Sequence, residues 1–234
     1  MDDTPQAHDL FVFLASTAHD MKNSISVVSG TLERLMDDGA TPHDSAAYPQ
    51  MAQMLYQTRR LNDNLMQLLA LYKEVGTPAY PLDIALVDVA QLGEQVASGN
   101  RVLLDARAIT LEIDVAPGLC WHLDEDLVIG VVNHAINNAT RYTRDRIRLA
   151  LVEEDGMLVI RVDDNGAGFT PALLAAGAAA GRGRAVDFRA NSAGLGLYFA
   201  SEVAKMHTHR GACGTVRLEN GGPLGGGCFV MRLP

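Results

Sequence analysis

Two stretches of this chain place an apolar or small residue every three and then every four positions, and no other feature constrains the fold as much. In residues 8–37 the series runs Phe11, Leu14, Ala18, Met21, Ile25, Val28, Leu32 and Leu35. A second series follows as Met51, Met54, Thr58, Leu61, Leu65, Leu68, Tyr72 and Val75. Strict 3-4 spacing lines these residues up as a narrow seam of the coiled-coil kind, not a broad amphipathic face. Asp37-Asp38-Gly39-Ala40-Thr41-Pro42 breaks the first helix, and Gly76-Thr77-Pro78 stops the second. Two antiparallel helices bury only one flank of each seam. The expectation is therefore a homodimer, in which two hairpins form a four-helix bundle. The alternative is a hairpin packed on its own C-terminal domain.

The remainder of the chain is built differently. Of its 22 glycines, 14 lie in residues 166–234 and two in residues 1–75. The front can be long helix, while the back needs many positions of positive φ or close backbone approach. Elements alternate there. Helical periodicity covers Val89–Ala106, Leu123–Tyr142 and Gly194–His207, with Asp124-Glu125-Asp126 as an acidic cap and first turn. Alternating patterns predict strands at Thr110–Val115, Arg146–Val152, Met157–Val162, Thr215–Glu219 and Cys228–Leu233. The expected fold is an α+β sandwich, helices on one face of a largely antiparallel sheet.

Composition excludes several classes. Hydrophobic residues make up 48% and charged residues 20%, the balance of a folded protein and not a disordered one. Nineteen Lys+Arg against 28 Asp+Glu give a net charge of −9, so binding to a nucleic-acid backbone or an anionic membrane is not expected. No stretch approaches roughly 18 consecutive apolar residues, and MDDTPQAHDL is not a signal peptide. Cys120, Cys213 and Cys228 are scattered, which fits reduced thiols in a cytoplasmic protein without membrane insertion.

Four segments carry chemistry. His19 follows the seam residue Ala18 and projects beside the seam toward solvent. An exposed helical histidine is ordinarily a solvated residue. Here Asp20 is adjacent, able to hold the imidazole tautomer, and Asn23 lies one turn on along the same face. Asn137-Asn138-Ala139-Thr140-Arg141-Tyr142 ends a helix with an amide suited to Mg²⁺ and an arginine suited to phosphate; Tyr142 either stacks on a base or fills the core. Asp163-Asp164-Asn165-Gly166-Ala167-Gly168-Phe169 sets a carboxylate at a strand end before a sharp turn, as required to accept a hydrogen bond from an exocyclic amine. Ser192-Ala193-Gly194-Leu195-Gly196-Leu197 opens a helix with glycines that let bare N–H groups approach phosphates.

In order and spacing these segments resemble the catalytic core of two-component sensor histidine kinases. Ala18-His19-Asp20-Met21-Lys22-Asn23-Ser24 resembles the H box, Asn138-Ala139-x-Arg141-Tyr142 the N box, Asp164-x-Gly166-x-Gly168 the G1 box, and Ser192-x-Gly194-Leu195-Gly196-Leu197 the G2 box. Gly225-Gly226-Gly227-Cys228-Phe229 with Leu233-Pro234 resembles the family's ending. The resemblance implies a dimerisation and phosphotransfer hairpin at residues 1–76 and a Bergerat-type ATP-binding domain at 77–234. By the same carry-over His19 is the phospho-acceptor, Asp20 its orienting carboxylate or general base, and Asn23 the residue that places water when the partner is dephosphorylated. Asn138 holds Mg²⁺, Arg141 and Tyr142 contact the nucleotide, and Asp164 reads the adenine amino group. Gly166, Gly168, Gly194, Leu195 and Gly196 flank a mobile lid over ATP. The implied partners are a second copy and a response-regulator receiver domain.

The sequence departs from the family pattern at three positions. His134 stands where the first N-box asparagine is usual, Ser192 where the first G2 glycine is usual, and Ser24 where a proline is common. Arg182, Arg184 and Arg189, in the alanine-rich lid 169–191, either reach the γ-phosphate or sit in a solvated loop. Trp121 and His122 read as packing and cap residues. His207, His209 and Cys213 read as the end of a helix whose dipole favours cationic histidine, and not as a metal site. A non-enzymatic phosphotransfer protein and a related Bergerat ATPase or serine kinase are the competing functions. Seven residues precede the first helix, too few for a sensor, so input is expected through a partner unless the chain is an excised core.

Overall fold

The computed structural model describes residues 21, 24–25, 27–36, 45–72, 82–180 and 193–234. The chain divides into two compact units, Met1–Pro81 and Leu82–Pro234.

In the first unit the described residues of helix α1 run to 36, and α2 spans Ala47–Tyr72. Ser45 starts α2: its Oγ and carbonyl both accept from Tyr48 N–H, and Pro49 sits in the first turn, where no N–H is needed. The seams split by face. Leu32 and Met36 on α1, and Tyr48, Ala52 and Leu55 on α2, are buried. Met21, Val28 and Leu35 on α1, each seven residues from the next, are 45–50% exposed; Met54 and Leu61 on α2 are 56% and 59% exposed. Among the described side chains, each helix therefore carries both buried and open apolar residues.

The second unit runs β1 Ala85–Asp88, α3 Val89–Asp105, β2 Thr110–Val115, β3 Cys120–Leu123, α4 Glu125–Tyr142, β4 Arg146–Glu154 and β5 Met157–Asp164. It continues with α5 Pro171–Ala180, α6 Ala193–Met206, β6 Thr208–His209, β7 Ala212–Cys213, β8 Thr215–Asn220 and β9 Gly227–Leu233. The central sheet has the order β2-β4-β5-β9-β8. It is mixed: β2 pairs with β4 in parallel, the other neighbours antiparallel. The crossover from β2 to β4 carries α4, the connection that a parallel pair needs. β1 and β3 form a separate antiparallel pair.

Local chemistry explains the element ends. Asp88 caps α3 by accepting from Ala90 and Gln91 N–H. Asp124 caps α4 by accepting from Leu127 N–H at 3.1 Å, with Glu125 and Asp126 in the favourable first turn. Asp155 and Gly156, at φ 54° and 71°, make the two-residue turn between β4 and β5.

Alternation sends Ile147, Leu149 and Leu151 of β4, Leu158 and Ile160 of β5, and Met231 and Leu233 of β9 into the core. The layer of α3, α4 and α6 packs over this face. The opposite face carries Arg161 bonded to Glu154 at 3.0 Å and a small cluster of Val159, Cys228 and Val230. Burial, with the neighbouring Asp163, pushes the Cys228 thiol well above its usual range, so it stays protonated.

Candidate nucleotide site

Three chain segments meet at the end of β5. Asp164, its last residue, is buried. Its Oδ1 accepts from Gly166 N–H at 2.7 Å and Gly227 N–H at 3.2 Å, and its carbonyl accepts from Gly226 N–H at 3.0 Å. Among the described residues no donor reaches Oδ2. One oxygen is locked by two N–H groups and the other is open to a further donor.

The turn after Asp164 lies hard against the end of α4. A Cβ at Gly166 would stand 2.1 Å from the Tyr142 carbonyl oxygen, so only glycine permits that approach. Asn165 pins the same place from the other side. Its Oδ1 accepts from the Thr143 hydroxyl and from the N–H groups of Arg144, Asp145 and Arg146, while its Nδ2 donates to Asp145. Asn165 was legible as a turn residue but not as the clasp between α4 and β5.

On α4, Asn138 is half-buried one turn from the helix end. Arg141 is exposed in the last turn, where its charge suits the helix dipole. Tyr142 is 66% exposed, which removes the core alternative. His134 precedes Asn138 by four residues and so shares its face. The His134 ring lies against Gly196 of α6: a Cβ at Gly196 would stand 1.8 Å from its Nε2. The departure at 134 is thus paired with the glycine at 196, and α4 meets the first turn of α6 through this contact. Gly194 and Leu195 belong to that same turn.

His19, Asp20, Asn23, Arg182, Arg184, Arg189 and Ser192 lie outside the described residues. The part of the expected lid that is described contains α5, where a loop was expected.

His207 corrects an expectation. It is buried, its Nε2 accepts from Asp124 N–H at 3.0 Å, and its Nδ1–H donates to Val203 O at 2.8 Å. An imidazole that both donates and accepts is neutral, so His207 is not the cation expected at the helix end; the basic residue of the last turn is Lys205. The same junction ties the α6 end to the α4 cap, whose Oδ2 also accepts from Asp83 N–H. Trp121 and His122 lie on β3, and Trp121 Nε1–H reaches the Pro234 carbonyl at 3.2 Å. Among the described residues no group of three or more His, Cys, Asp or Glu side chains is placed to hold a metal, and no helix is long and apolar enough to cross a membrane.

Fold and site define an ATPase-type domain: residues 123–234 match the family of histidine kinase-, DNA gyrase B-, and HSP90-like ATPases. The chain is 28% identical over 240 residues to the signal transduction histidine-protein kinase AfsQ2 of Streptomyces coelicolor, covering 95% of this chain and 41% of the relative. It is 24% identical to the sensor protein SrrB of Staphylococcus aureus, covering 95% of this chain and 37% of that protein. Among solved structures it resembles full-length ShkA in complex with AMPPNP, at TM-score 0.60 and 23% identity, over 94% of this chain and 45% of that one. It also resembles the Acinetobacter baumannii histidine kinase AdeS, at TM-score 0.55 and 18% identity, over 92% of this chain and 96% of that one. These matches support a sensor histidine kinase: the ATPase family model covers residues 123–234, and the curated relatives carry the names histidine-protein kinase and sensor protein. It spans about two fifths of the length of the curated relatives it matches.

Proposed function

We propose that this chain is an ATP-dependent histidine autokinase that phosphorylates its own His19 and passes the phosphoryl group to an aspartate of a response-regulator receiver domain. The observation that carries the nucleotide half is Asp164, with one oxygen held by glycine N–H groups and the other open to an exocyclic amine. Adenine offers that donor. Asn138 and Arg141 on α4, with the N–H groups of the first turn of α6 at Gly194, Leu195 and Gly196, are suited to the phosphates.

The residues fit Mg²⁺ as an ion that arrives with the nucleotide. A single amide, Asn138, suits an ion that takes most of its ligands from phosphate and water. When bound, Mg²⁺ supplies neutralisation of phosphate charge.

The transfer itself asks little covalent chemistry of the protein. One nitrogen of neutral His19 attacks the γ-phosphorus in line while Asp20 holds the other. The N–P bond forms, the bond to the bridging oxygen of ADP breaks, and the single ring proton, on the nitrogen held by Asp20, passes toward that carboxylate. Positioning and electrostatics carry the rate. Histidine suits this role because a pKa near about 6.5 leaves it largely neutral at cellular pH. Asn23, one turn away, places water when the same site dephosphorylates the regulator.

The open apolar stripes of Met21, Val28, Leu35, Met54 and Leu61 support a homodimer in which residues 1–76 form the four-helix bundle and 77–234 the ATP domain. ATP supply and unpaired thiols favour the cytoplasm.

Calorimetry with Mg-ATP tests the nucleotide half. The chain should bind, and Asp164→Asn should weaken binding about tenfold to a hundredfold, the loss of a hydrogen bond to a charged acceptor. No affinity for Mg-ATP would favour an ATP-independent phosphotransfer protein. Label transferred from ATP to serine would favour a related serine kinase.

A further inference from the structure

Just beyond the Asp164 turn, one side chain holds the backbone in both directions. Phe169 N–H donates to Asn220 Oδ1 at 2.7 Å, and Asn220 Nδ2 donates to Phe169 O at 2.9 Å. Asn220 is the last residue of β8, so the sheet reaches across to a segment 51 residues earlier through a single amide. The segment it grips follows a glycine hinge. Gly168 has φ 80°, and a Cβ there would stand 2.8 Å from Asn220 Oδ1. A side chain at 168 would meet backbone strain and the amide together.

The Phe169 ring then lies beside the open oxygen of Asp164. A Cβ built at Gly227 would stand 3.0 Å from Phe169 Cε2 and 2.8 Å from Asp164 Oδ2. The aromatic edge and the unclaimed oxygen therefore flank the same glycine.

We propose that Asn220 is a specificity-determining positioning residue for the purine base. It touches neither base nor phosphate. By fixing the Phe169 backbone it keeps the ring where it can confine a planar base, so that an exocyclic amine meets Asp164 Oδ2 in line. Hydrogen bonds weaken steeply with misalignment, so base discrimination reports this placement. Adenine presents a donor at that position and hypoxanthine an acceptor; a carboxylate oxygen attracts the first and repels the second. The inference rests on the adenine-nucleotide reading of the site.

Calorimetry on the whole chain with Mg-ATP and Mg-ITP separates the possibilities. The unmodified protein should prefer ATP about a hundredfold, and Asn220→Ala should cut that preference about tenfold by weakening ATP and sparing ITP. Asn220→Asp preserves shape and one acceptor but sets an oxygen against Phe169 O; it should show the same loss, and it serves if the alanine variant does not fold. Variants that fold and keep the original ATP-to-ITP ratio, even with a lowered melting temperature, make Asn220 a structural staple and overturn the inference. An unmodified chain that binds neither nucleotide overturns instead the function proposed for the site.

Discussion

In Leu82–Pro234 the large apolar side chains of the sheet interior are sealed, and hydrogen bonds across long stretches of sequence tie the ends together: His207 to Asp124, Trp121 to Pro234, Asn220 to Phe169. In Met1–Pro81 the same kind of side chain stands open in a seven-residue rhythm, with Met21, Val28, Leu35, Met54 and Leu61 all 45% exposed or more. Both units obey the same rule, that apolar periodicity marks a face to be buried. The difference lies in where the covering surface comes from. The ATP-binding unit finds it within one copy; for the helices, the proposed dimer draws it from a second copy.

The comparison breaks if the stripe can be charged without consequence. Val28→Glu combined with Leu61→Glu places carboxylates in the proposed interface, each costing several kcal/mol unless paired. Sedimentation should show dimerisation weakened at least about a thousandfold, with Mg-ATP affinity unchanged. A dimer that persists would mean the stripe is covered by something other than a second copy. The smaller effect belongs to the self-contained unit. His207→Ala leaves the Asp124 N–H without its acceptor and opens a cavity, costing about 2 kcal/mol in a denaturant melt. A cost near zero would show that the junction between α4 and α6 is not coupled to stability.

What was legible in the sequence follows the range of each signal. The second seam, the strand at Thr110–Val115, the α4 cap at Asp124 and the helix opening at Gly194 are local patterns, and the structure places elements there; Phe11, Leu14 and Ala18 of the first seam lie outside the described residues. β1 and β3 escaped because four residues are too few to display a period. The parallel pairing of β2 with β4 escaped because strand direction depends on the crossover, not on either strand's pattern. At the site, Asp164 and its glycines stood out as a turn next to a carboxylate. Asn220 gave no signal, since its partner lies 51 residues away. His207 misled for the same reason: the helix end argued for a cation, and only the tertiary fold brings the Asp124 N–H that requires a neutral ring. His134 was visible as a departure, yet the contact with Gly196 that accommodates it was not.

The central claim is that the ATP-binding unit serves a histidine on the helical unit. Incubation of the chain and of His19→Ala with Mg-ATP labelled at the γ-phosphate tests it directly, followed by acid and alkali treatment and mapping of the labelled peptide. The account predicts an acid-labile, alkali-stable phosphoryl group on the peptide containing His19, and none on the alanine variant even though it still binds Mg-ATP. Label retained after His19→Ala, or found on serine, would contradict it.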